Sequence, residues 1–153
     1  MGLEIERKFL VTGTRWKARA RGVLTRQGYF STTSNTTVRV RIAGNRGFLT
    51  VKGRTRGLSR PEFEYAIPVR DAAALLELCK KPLVEKTRYR IPFGAHTWEV
   101  DEFHGANAGL VVAEVELASA DEEPALPLWV GREVSRDARY FNVNLAKKPF
   151  TTW

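Results

Sequence analysis

The chain has 153 residues and a mass of 17.3 kDa, with 25 Lys and Arg against 17 Asp and Glu and a formal net charge of +8. Its apolar content of 43% is enough for one core and argues against disorder. Its length fits a single domain over residues 1–153. Cys79 is the only cysteine, which excludes a disulfide framework and a cysteine-based zinc site. Without a basic leader or an apolar run of about 18 residues, the sequence predicts a cytoplasmic protein with no membrane partner.

The charge is distributed unevenly along the chain. Residues 1–60 hold 14 basic residues against two acids, whereas residues 61–153 hold 11 basic residues against 15 acids. A basic region of this kind is compatible with a nucleic-acid surface, a site for a small polyanion, or solvent-facing decoration. The spacing of the charges along the chain has to decide between these interpretations.

Charged and apolar residues alternate with period two in most of the chain, which is typical of β-strands. Seven segments show clear alternation, and a shorter strand is expected early in the chain. In chain order, the eight predicted strands cover residues 3–11, 28–32, 37–42, 48–54, 62–67, 86–91, 98–101 and 113–117. Turn motifs of hairpin length, such as Phe93-Gly94-Ala95, separate neighbouring runs.

Helical periodicity is confined to four stretches. Residues 14–21 and 71–81 read as short helices, and Ser119–Glu122 reads as a capping box that begins another. A last helix is predicted over residues 135–148, where Pro149 ends it. The pattern predicts one α+β domain.

The polar positions of the strands are nearly all ionised, and they segregate by sign. Like charges at positions i and i+2 of one strand face repel each other. If the sheet closes on itself, acidic walls can hold a cation and basic walls an anion, so the charged faces would turn inward and the apolar faces outward under the helices. The alternative for each strand is that its charged face simply points to water.

The inward faces would combine two sets of side chains. The carboxylates are Glu4, Glu6, Glu62, Glu64, Glu99, Asp101, Glu114 and Glu116, and the cations are Lys8, Arg39, Arg41, Lys52, Arg54, Lys86, Arg88 and Arg90. Carboxylate oxygens without Cys or His partners favour Mg²⁺ or Mn²⁺, and guanidinium groups suit phosphate oxygens. One cavity with both sets favours phosphoryl transfer or polyphosphate hydrolysis.

The segment Glu4-Ile5-Glu6-Arg7-Lys8 resembles the N-terminal ExExK motif of the CYTH superfamily, the triphosphate tunnel metalloenzymes. Further matches follow in order over essentially the whole chain: Arg39-x-Arg41, Lys52, Glu62-x-Glu64, Lys86-x-Arg88, Glu99-x-Asp101, Glu114-x-Glu116 and Arg139-Tyr140-x-Asn142. The compact length resembles the short bacterial members. The resemblance implies an eight-stranded antiparallel β-barrel that forms a tunnel with a charged interior, with helices packed outside.

The resemblance also implies roles for individual residues. Glu4, Glu114 and Glu116 would hold the principal divalent metal, Mg²⁺ or Mn²⁺. Glu6 would assist a second metal or the attacking water, with Glu62, Glu64 and Asp101 as neighbouring metal ligands or base candidates. Glu6, Glu64 and Asp101 are the candidate catalytic residues. The expected phosphate ligands are Lys8, Arg39, Arg41, Lys52, Lys86, Arg88 and Arg139.

The leading functional hypothesis is a divalent-metal-dependent triphosphatase that hydrolyses inorganic tripolyphosphate to pyrophosphate and phosphate. The enzymatic alternatives are a class IV adenylate cyclase and a nucleoside or thiamine triphosphatase. A polyphosphate-binding module without turnover is the non-enzymatic alternative. The expected partner is a small triphosphate and not a specific nucleic acid, and the expected assembly is a monomer or a homodimer.

Overall fold

The computed structural model describes residues 2–30, 33 and 35–153, and in them nine strands form one antiparallel sheet. The strands are β1 (Gly2–Val11), β2 (Gly22–Tyr29), β3 (Thr37–Ala43), β4 (Arg46–Lys52), β5 (Ser59–Ile67), β6 (Val84–Phe93), β7 (His96–Phe103), β8 (Val111–Glu116) and β9 (Val130–Glu133). Their order is β5-β4-β3-β2-β6-β7-β8-β1-β9, and β1 also pairs with β5. Strands β1 to β8 therefore close into the predicted eight-stranded antiparallel barrel.

Strand β1 joins the two edges of the sheet because its partners change along its length. Residues 2–5 pair with β5, residues 6–10 pair with β8 on the opposite edge, and Phe9 and Val11 pair with β9. The short strand β9 therefore pairs with the C-terminal part of β1, beyond the residues that pair with β5. It was not predicted, because its four residues carry no extended alternation of charged and apolar side chains.

Two α-helices and four short 3-10 turns complete the described part of the chain. The helices are α1 (Val69–Leu78) and α2 (Asn142–Lys147), and the turns lie at Arg15–Arg19, Gly105–Asn107, Ala138–Tyr140 and Phe150–Thr152. The helix predicted over residues 71–81 is thus confirmed as α1, shifted by two or three residues at each end. No helix in these described ranges has the length and the apolar composition needed to cross a membrane.

Several local predictions need correction. The helix predicted at residues 14–21 is only the 3-10 turn at 15–19, and the helix predicted over 135–148 is divided. It is divided because Asp137 caps the 3-10 turn through the N–H of Arg139, while Phe141 has an extended backbone before α2. Residues 119–122 form a turn instead of a helix, since the Glu122 carboxylate turns back to accept from the N–H of Ala118.

The second strand also differs from the prediction. Strand β2 begins at Gly22, six residues before the predicted start, whereas residues 31 and 32 of the predicted strand lie outside the described residues. Uncharged residues dominate this strand, so it lacks the charge alternation that marks the others.

Helix α1 covers the outer face of β3 and β4. The buried residues Ala72 and Leu76 of α1 pack with Val40 of β3. Gly47 allows the approach, because a Cβ atom at this position would lie 2.8 Å from the Cβ of Ala72. The outward side chains of β3 and β4 are thereby buried, which leaves their inward charged side chains to the barrel interior.

A second apolar cluster covers the outer face of β1, β6, β7 and β8. Phe9 and Trp98 pack with ring centroids 5.5 Å apart, and Trp16 packs edge-on against Tyr89 at 5.1 Å. Trp129, just before β9, packs edge-on against Trp98. Both large outer faces are thus apolar and covered, as the alternation predicts.

One end of the barrel interior is apolar. We call it the apolar end: a buried cluster of strand residues and C-terminal residues, namely Val84, Phe103, Leu110, Val112, Val134, Tyr140 and Leu145. Phe103 and Val112 lie opposite Lys86 and Asp101 across the strand pairs, and directly opposed residues share one face of a sheet. The apolar end therefore belongs to the same inward face as the charged side chains, and it limits the space available to them.

Candidate active site

The remaining interior of the barrel is a cavity of about 680 Å³. Among the described residues, seven carboxylates and eight Lys or Arg line it. They are Glu4, Glu6, Glu62, Glu64, Glu99, Glu114 and Glu116, with Lys8, Arg39, Arg41, Lys52, Arg60, Lys86, Arg88 and Arg90. We call this space the charged cavity.

The strand register explains how residues far apart in sequence meet there. Glu6 lies opposite Glu116 and Lys8 opposite Glu114 across the β1–β8 pair. Glu114 also lies opposite Glu99 of β7. Side chains of directly opposed residues in antiparallel strands point to the same side of the sheet. The charged residues predicted to point inward on one strand therefore lie beside those of the neighbouring strands.

Lys52 joins two carboxylates on one wall. Its Nζ lies 2.7 Å from Glu4 Oε2 and 3.2 Å from Glu62 Oε2. Burial opposes the ionisation of Glu4, but the Lys52 ammonium and neighbouring side-chain hydrogen bonds outweigh it and hold the pKa of Glu4 well below its usual range. Burial and the contact with Glu4 raise the pKa of Glu62. The carboxylates of Glu4 and Glu62 thus share the single positive charge of Lys52, which cannot neutralise both.

Lys8 is buried and forms an ion pair with the half-buried Glu114. The Nζ of Lys8 lies 3.2 Å from Glu114 Oε1 and donates to the backbone oxygen of Tyr140 at 3.1 Å. Burial opposes the charge on both groups, yet the attraction between them raises the pKa of Lys8 and lowers that of Glu114. The attraction between them therefore favours the ionised form of both side chains.

Asp101 lies beneath the charged cavity. It is only 1% exposed, and its two oxygens accept from Arg88 Nε and Nη2 at 2.7 and 2.8 Å. Lys86 Nζ lies 2.8 Å from the same carboxylate. Burial lowers the pKa of Lys86 to about 8, although Asp101 partly opposes that shift. A carboxylate with these partners orients two cations towards the cavity.

Arg39 and Arg41 form the opposite wall. Arg41 Nη2 donates to Glu64 Oε1 at 3.0 Å, and Arg39 Nη2 donates to Thr50 Oγ1 at 3.3 Å. The Nε atoms of both arginines are buried without a hydrogen-bond partner. Burial and the neighbouring guanidinium groups lower the pKa of Arg41 to about 10. An anion in the charged cavity would relieve both the repulsion and the unsatisfied N–H groups.

The carboxylates are crowded on the wall formed by β1 and β8. Burial, followed by repulsion from Glu114 and Glu4, raises the pKa of Glu6 well above its usual range. Burial and repulsion from Glu4 and Glu99 raise the pKa of Glu116. No three or more of the acidic, His or Cys residues in the described chain are already gathered as a metal-binding group. The donor set nevertheless fits a hard divalent cation, because it consists of carboxylate oxygens whose mutual repulsion such an ion would remove.

The structure brings together most, but not all, of the predicted site residues. The predicted residues that line the charged cavity are Glu4, Glu6, Lys8, Arg39, Arg41, Lys52, Glu62, Glu64, Lys86, Arg88, Arg90, Glu99, Glu114 and Glu116. Asp101 lies below it, and Arg54 is exposed beyond the end of β4. Arg139 lies outside the lining, where it pairs with Asp137 at 2.7 Å and stacks on Trp153.

Among the residues that line the charged cavity, Arg60 and Asn142 were not predicted as site residues. Arg60 lies opposite Glu4 across the β1–β5 pair, and its position two residues before Glu62 is a signal that could have identified it. Asn142 belongs to a motif noted in the sequence, but nothing in that motif indicates its contact with Lys86 at 2.9 Å. That contact depends on where α2 meets the barrel.

Comparison with known proteins agrees with this architecture. A family model described as CYTH domain matches residues 2–150. The chain belongs to the CYTH domain family. The CYTH resemblance and the barrel predicted from it are therefore confirmed, and membership of this metalloenzyme family implies a divalent metal.

Two curated relatives cover nearly the whole CYTH chain. A protein of Acetivibrio thermocellus named inorganic triphosphatase is 52% identical over 98% of this chain and 97% of its own. A protein of Nitrosomonas europaea with the same name is 41% identical over 94% of this chain and 96% of its own. The crystal structure of the inorganic triphosphatase NE1496 has a TM-score of 0.68 and 36% identity, with 95% of each chain covered.

Proposed function

We propose that this CYTH protein is a divalent-metal-dependent inorganic triphosphatase that hydrolyses tripolyphosphate to pyrophosphate and phosphate inside its barrel. The observation that carries the proposal is the charged cavity, in which a wall of carboxylates faces guanidinium and ammonium groups. A protein that only bound polyanions would gain nothing from buried carboxylates. The names of the two nearly full-length relatives support the same activity.

The carboxylate wall is the proposed metal site. Glu4, Glu114 and Glu116 would hold the metal, with Glu6, Glu62 and Glu64 as neighbouring oxygen donors. A bound Mg²⁺ or Mn²⁺ polarises phosphoryl oxygens and offsets the negative charge of the triphosphate. The geometry favours this wall because these side chains reach the cavity, whereas Asp101 does not line it.

The cationic side chains would bind and orient the triphosphate. Arg39 and Arg41 offer guanidinium donors on one wall, and Lys8, Lys86 and Arg88 offer donors near the apolar end. One guanidinium group can donate two parallel hydrogen bonds to phosphate oxygens, and this fixes the orientation of the bond to be broken. Asp101 would act through Arg88 and Lys86, whose positions it sets, so its role as a catalytic residue or metal ligand stays a prediction from the sequence.

The attacking water requires a carboxylate that can take its proton. Glu6 and Glu64 are the proposed candidates, since both line the charged cavity. Glu64 interacts with Arg41 through one oxygen, which leaves the other available to orient a water. The water oxygen then bonds to one phosphorus while the bond from that phosphorus to the bridging oxygen breaks. The other product leaves with the bridging oxygen, so that pyrophosphate and phosphate result, and the water proton passes to the carboxylate.

The experiment is a substrate panel with the purified protein. Phosphate release from tripolyphosphate, ATP and thiamine triphosphate is measured with Mg²⁺, with Mn²⁺ and with EDTA. We expect metal-dependent release that is fastest from tripolyphosphate. Absence of phosphate release from all three substrates would refute the hydrolase, and formation of cyclic AMP from ATP would select the cyclase instead.

A matched pair of variants tests the metal site. Glu116→Gln should lower turnover about 100-fold or more, because it removes a charged oxygen donor from the metal. Glu123→Gln changes a glutamate whose side chain is 86% exposed outside the barrel, and it should leave turnover unchanged. Equal activity of the two variants would contradict the assignment of Glu116.

A further inference from the structure

The segment just before and at the start of α2 contacts two lysines of the charged cavity. Lys8 Nζ donates to the backbone oxygen of Tyr140 at 3.1 Å, and Lys86 Nζ donates to Asn142 Oδ1 at 2.9 Å. The ring of Phe141, between them in sequence, lies 5.5 Å from the Lys8 ammonium. This segment thus touches the cations proposed to hold the triphosphate, and the Asn142 contact is its only side-chain hydrogen bond to either lysine among the described residues.

The surroundings of Lys86 restrict the direction of its ammonium group. An ammonium group has three N–H donors. One is directed to Asp101 at 2.8 Å and one to Asn142 at 2.9 Å, while the ring of Phe103 lies 5.6 Å away at the apolar end. One N–H remains for the charged cavity, which Lys86 lines although it is only 1% exposed.

Asn142 is itself held in place from the barrel. Gln27 Nε2 donates to the same Oδ1 at 3.2 Å and to the hydroxyl oxygen of Tyr29 at 3.0 Å. Gln27 is fully buried in β2, so it forms a rigid support for the amide. Leu145, one turn along α2, is fully buried in the apolar end and fixes the helix.

A neutral acceptor is the appropriate partner at this position. A carboxylate in place of the amide would hold the ammonium equally well, but it would repel a triphosphate that carries about four negative charges. The amide oxygen of Asn142 orients Lys86 without adding that repulsion. Asp101, which does carry a charge, has both oxygens engaged by Arg88 and Lys86 below the cavity.

We propose that Asn142 is a positioning residue for triphosphate binding: with Asp101 it fixes the Lys86 ammonium so that the remaining N–H points at a phosphate oxygen. This proposal rests on the proposed function. It assigns to α2 a part in substrate binding through Lys86, besides its packing against the apolar end.

A double-mutant cycle tests the proposal. The dissociation constant of inorganic tripolyphosphate is measured by isothermal titration calorimetry in EDTA, which prevents metal-dependent turnover, for the wild type, Asn142→Leu, Lys86→Met and the double variant. We expect Asn142→Leu to weaken binding about tenfold when Lys86 is present and less than about twofold in the Lys86→Met background. A merely structural role of Asn142 would weaken binding by the same factor in both backgrounds, and that result would overturn the proposal.

Asn144→Ala is the matched control. Asn144 lies on the same helix and donates to the backbone oxygen of Ala138 at 2.8 Å, so its loss disturbs α2 without removing a contact to either lysine. It should change thermal stability but not the dissociation constant; an equal loss of affinity in Asn144→Ala would also overturn the proposal. If Asn142→Leu does not fold, Asn142→Ser completes the same cycle with a smaller side chain.

The cycle also separates the two proposals. A wild-type protein that neither binds nor hydrolyses tripolyphosphate would refute the proposed function and this inference with it. A wild-type protein that hydrolyses tripolyphosphate, with equal factors in the two backgrounds, would refute only the positioning role of Asn142.

Discussion

The charged cavity and the apolar end lie within one barrel and are built from the same strands. On β1 the inward series Glu4, Glu6 and Lys8 continues with Leu10, which packs against the apolar end. On β8 the series Glu116 and Glu114 continues with Val112. The side-chain direction stays the same, and only the polarity changes with depth.

This comparison shows that two properties of the sequence act separately. The period of two determines which side chains point into the barrel, and the change from charged to apolar residues determines where the charged cavity stops. The apolar end contributes hydrophobic burial that a fully charged interior would lack. The fold can therefore keep many buried charges at one end because the other end is packed as a core.

Val112→Glu is expected to have the largest effect, because it places a charge in the apolar end. It extends the charged half by one position into a site that is only 2% exposed and has apolar neighbours. We expect the free energy of unfolding to fall by about 4 kcal/mol or more, because the buried carboxyl would lie opposite Asp101, whose partners Lys86 and Arg88 are already engaged. Urea denaturation measures this, with Leu128→Glu as the exposed control. Wild-type stability of Val112→Glu would mean that burial does not set the boundary.

Leu145→Ala weakens the apolar end without introducing charge. Leu145 is fully buried, whereas Leu128 is fully exposed, so Leu128→Ala is the matched control. We expect Leu145→Ala to lower the free energy of unfolding by about 3 kcal/mol and the Tm by about 6–12 °C, through the cavity that it leaves. Calorimetry should show no comparable change for the control; similar Tm values for both variants would argue against α2 as part of the core.

Arg41→Ala tests substrate binding in the charged cavity, and we expect it to change the free energy of unfolding little. Arg41 is half-buried and its buried Nε has no hydrogen-bond partner, whereas the side chain of Arg90 is 68% exposed at the rim. We expect the KM for tripolyphosphate to rise about tenfold in Arg41→Ala, since charge-assisted hydrogen bonds contribute about 1.5–3 kcal/mol. Arg90→Ala should change it less than about threefold. Initial-rate kinetics measure both KM values. A larger increase in Arg90→Ala than in Arg41→Ala would indicate that the phosphates bind nearer the rim.

Arg139→Ala should have the smallest effect. The sequence predicts a phosphate ligand, but the guanidinium interacts with Asp137 and Trp153 outside the lining of the charged cavity. Exposed ion pairs contribute little, so KM and Tm should stay close to wild type. A tenfold increase in KM would instead support the role that the resemblance implies for Arg139.

The sequence was sufficient for the family, the closed barrel and the inward faces. Alternation placed Glu4, Lys8 and Glu114 on one face, and the structure confirms that placement. Depth was not predictable, because the spacing that puts Asp101 on the inward face does not reveal that Arg88 and Lys86 enclose it. Arg54 keeps the alternation in sequence, but β4 ends at Lys52 and Arg54 leaves the barrel. The triphosphatase hypothesis agrees with the names of both relatives, whereas the role of each site residue stays a proposal.

The ion pairs inside the charged cavity have a thermodynamic consequence. Lys52 is held by Glu4 and Glu62, Lys8 by Glu114 and Arg41 by Glu64, so the cations and the carboxylates occupy each other. A triphosphate that takes the cations releases carboxylates, which then bind a divalent ion more readily, and the ion likewise frees cations for the triphosphate. Each ligand thereby lowers the dissociation constant of the other by the same factor, a reciprocity required by linkage. If the barrel binds as proposed, its paired charges couple the binding of the metal to the binding of the triphosphate.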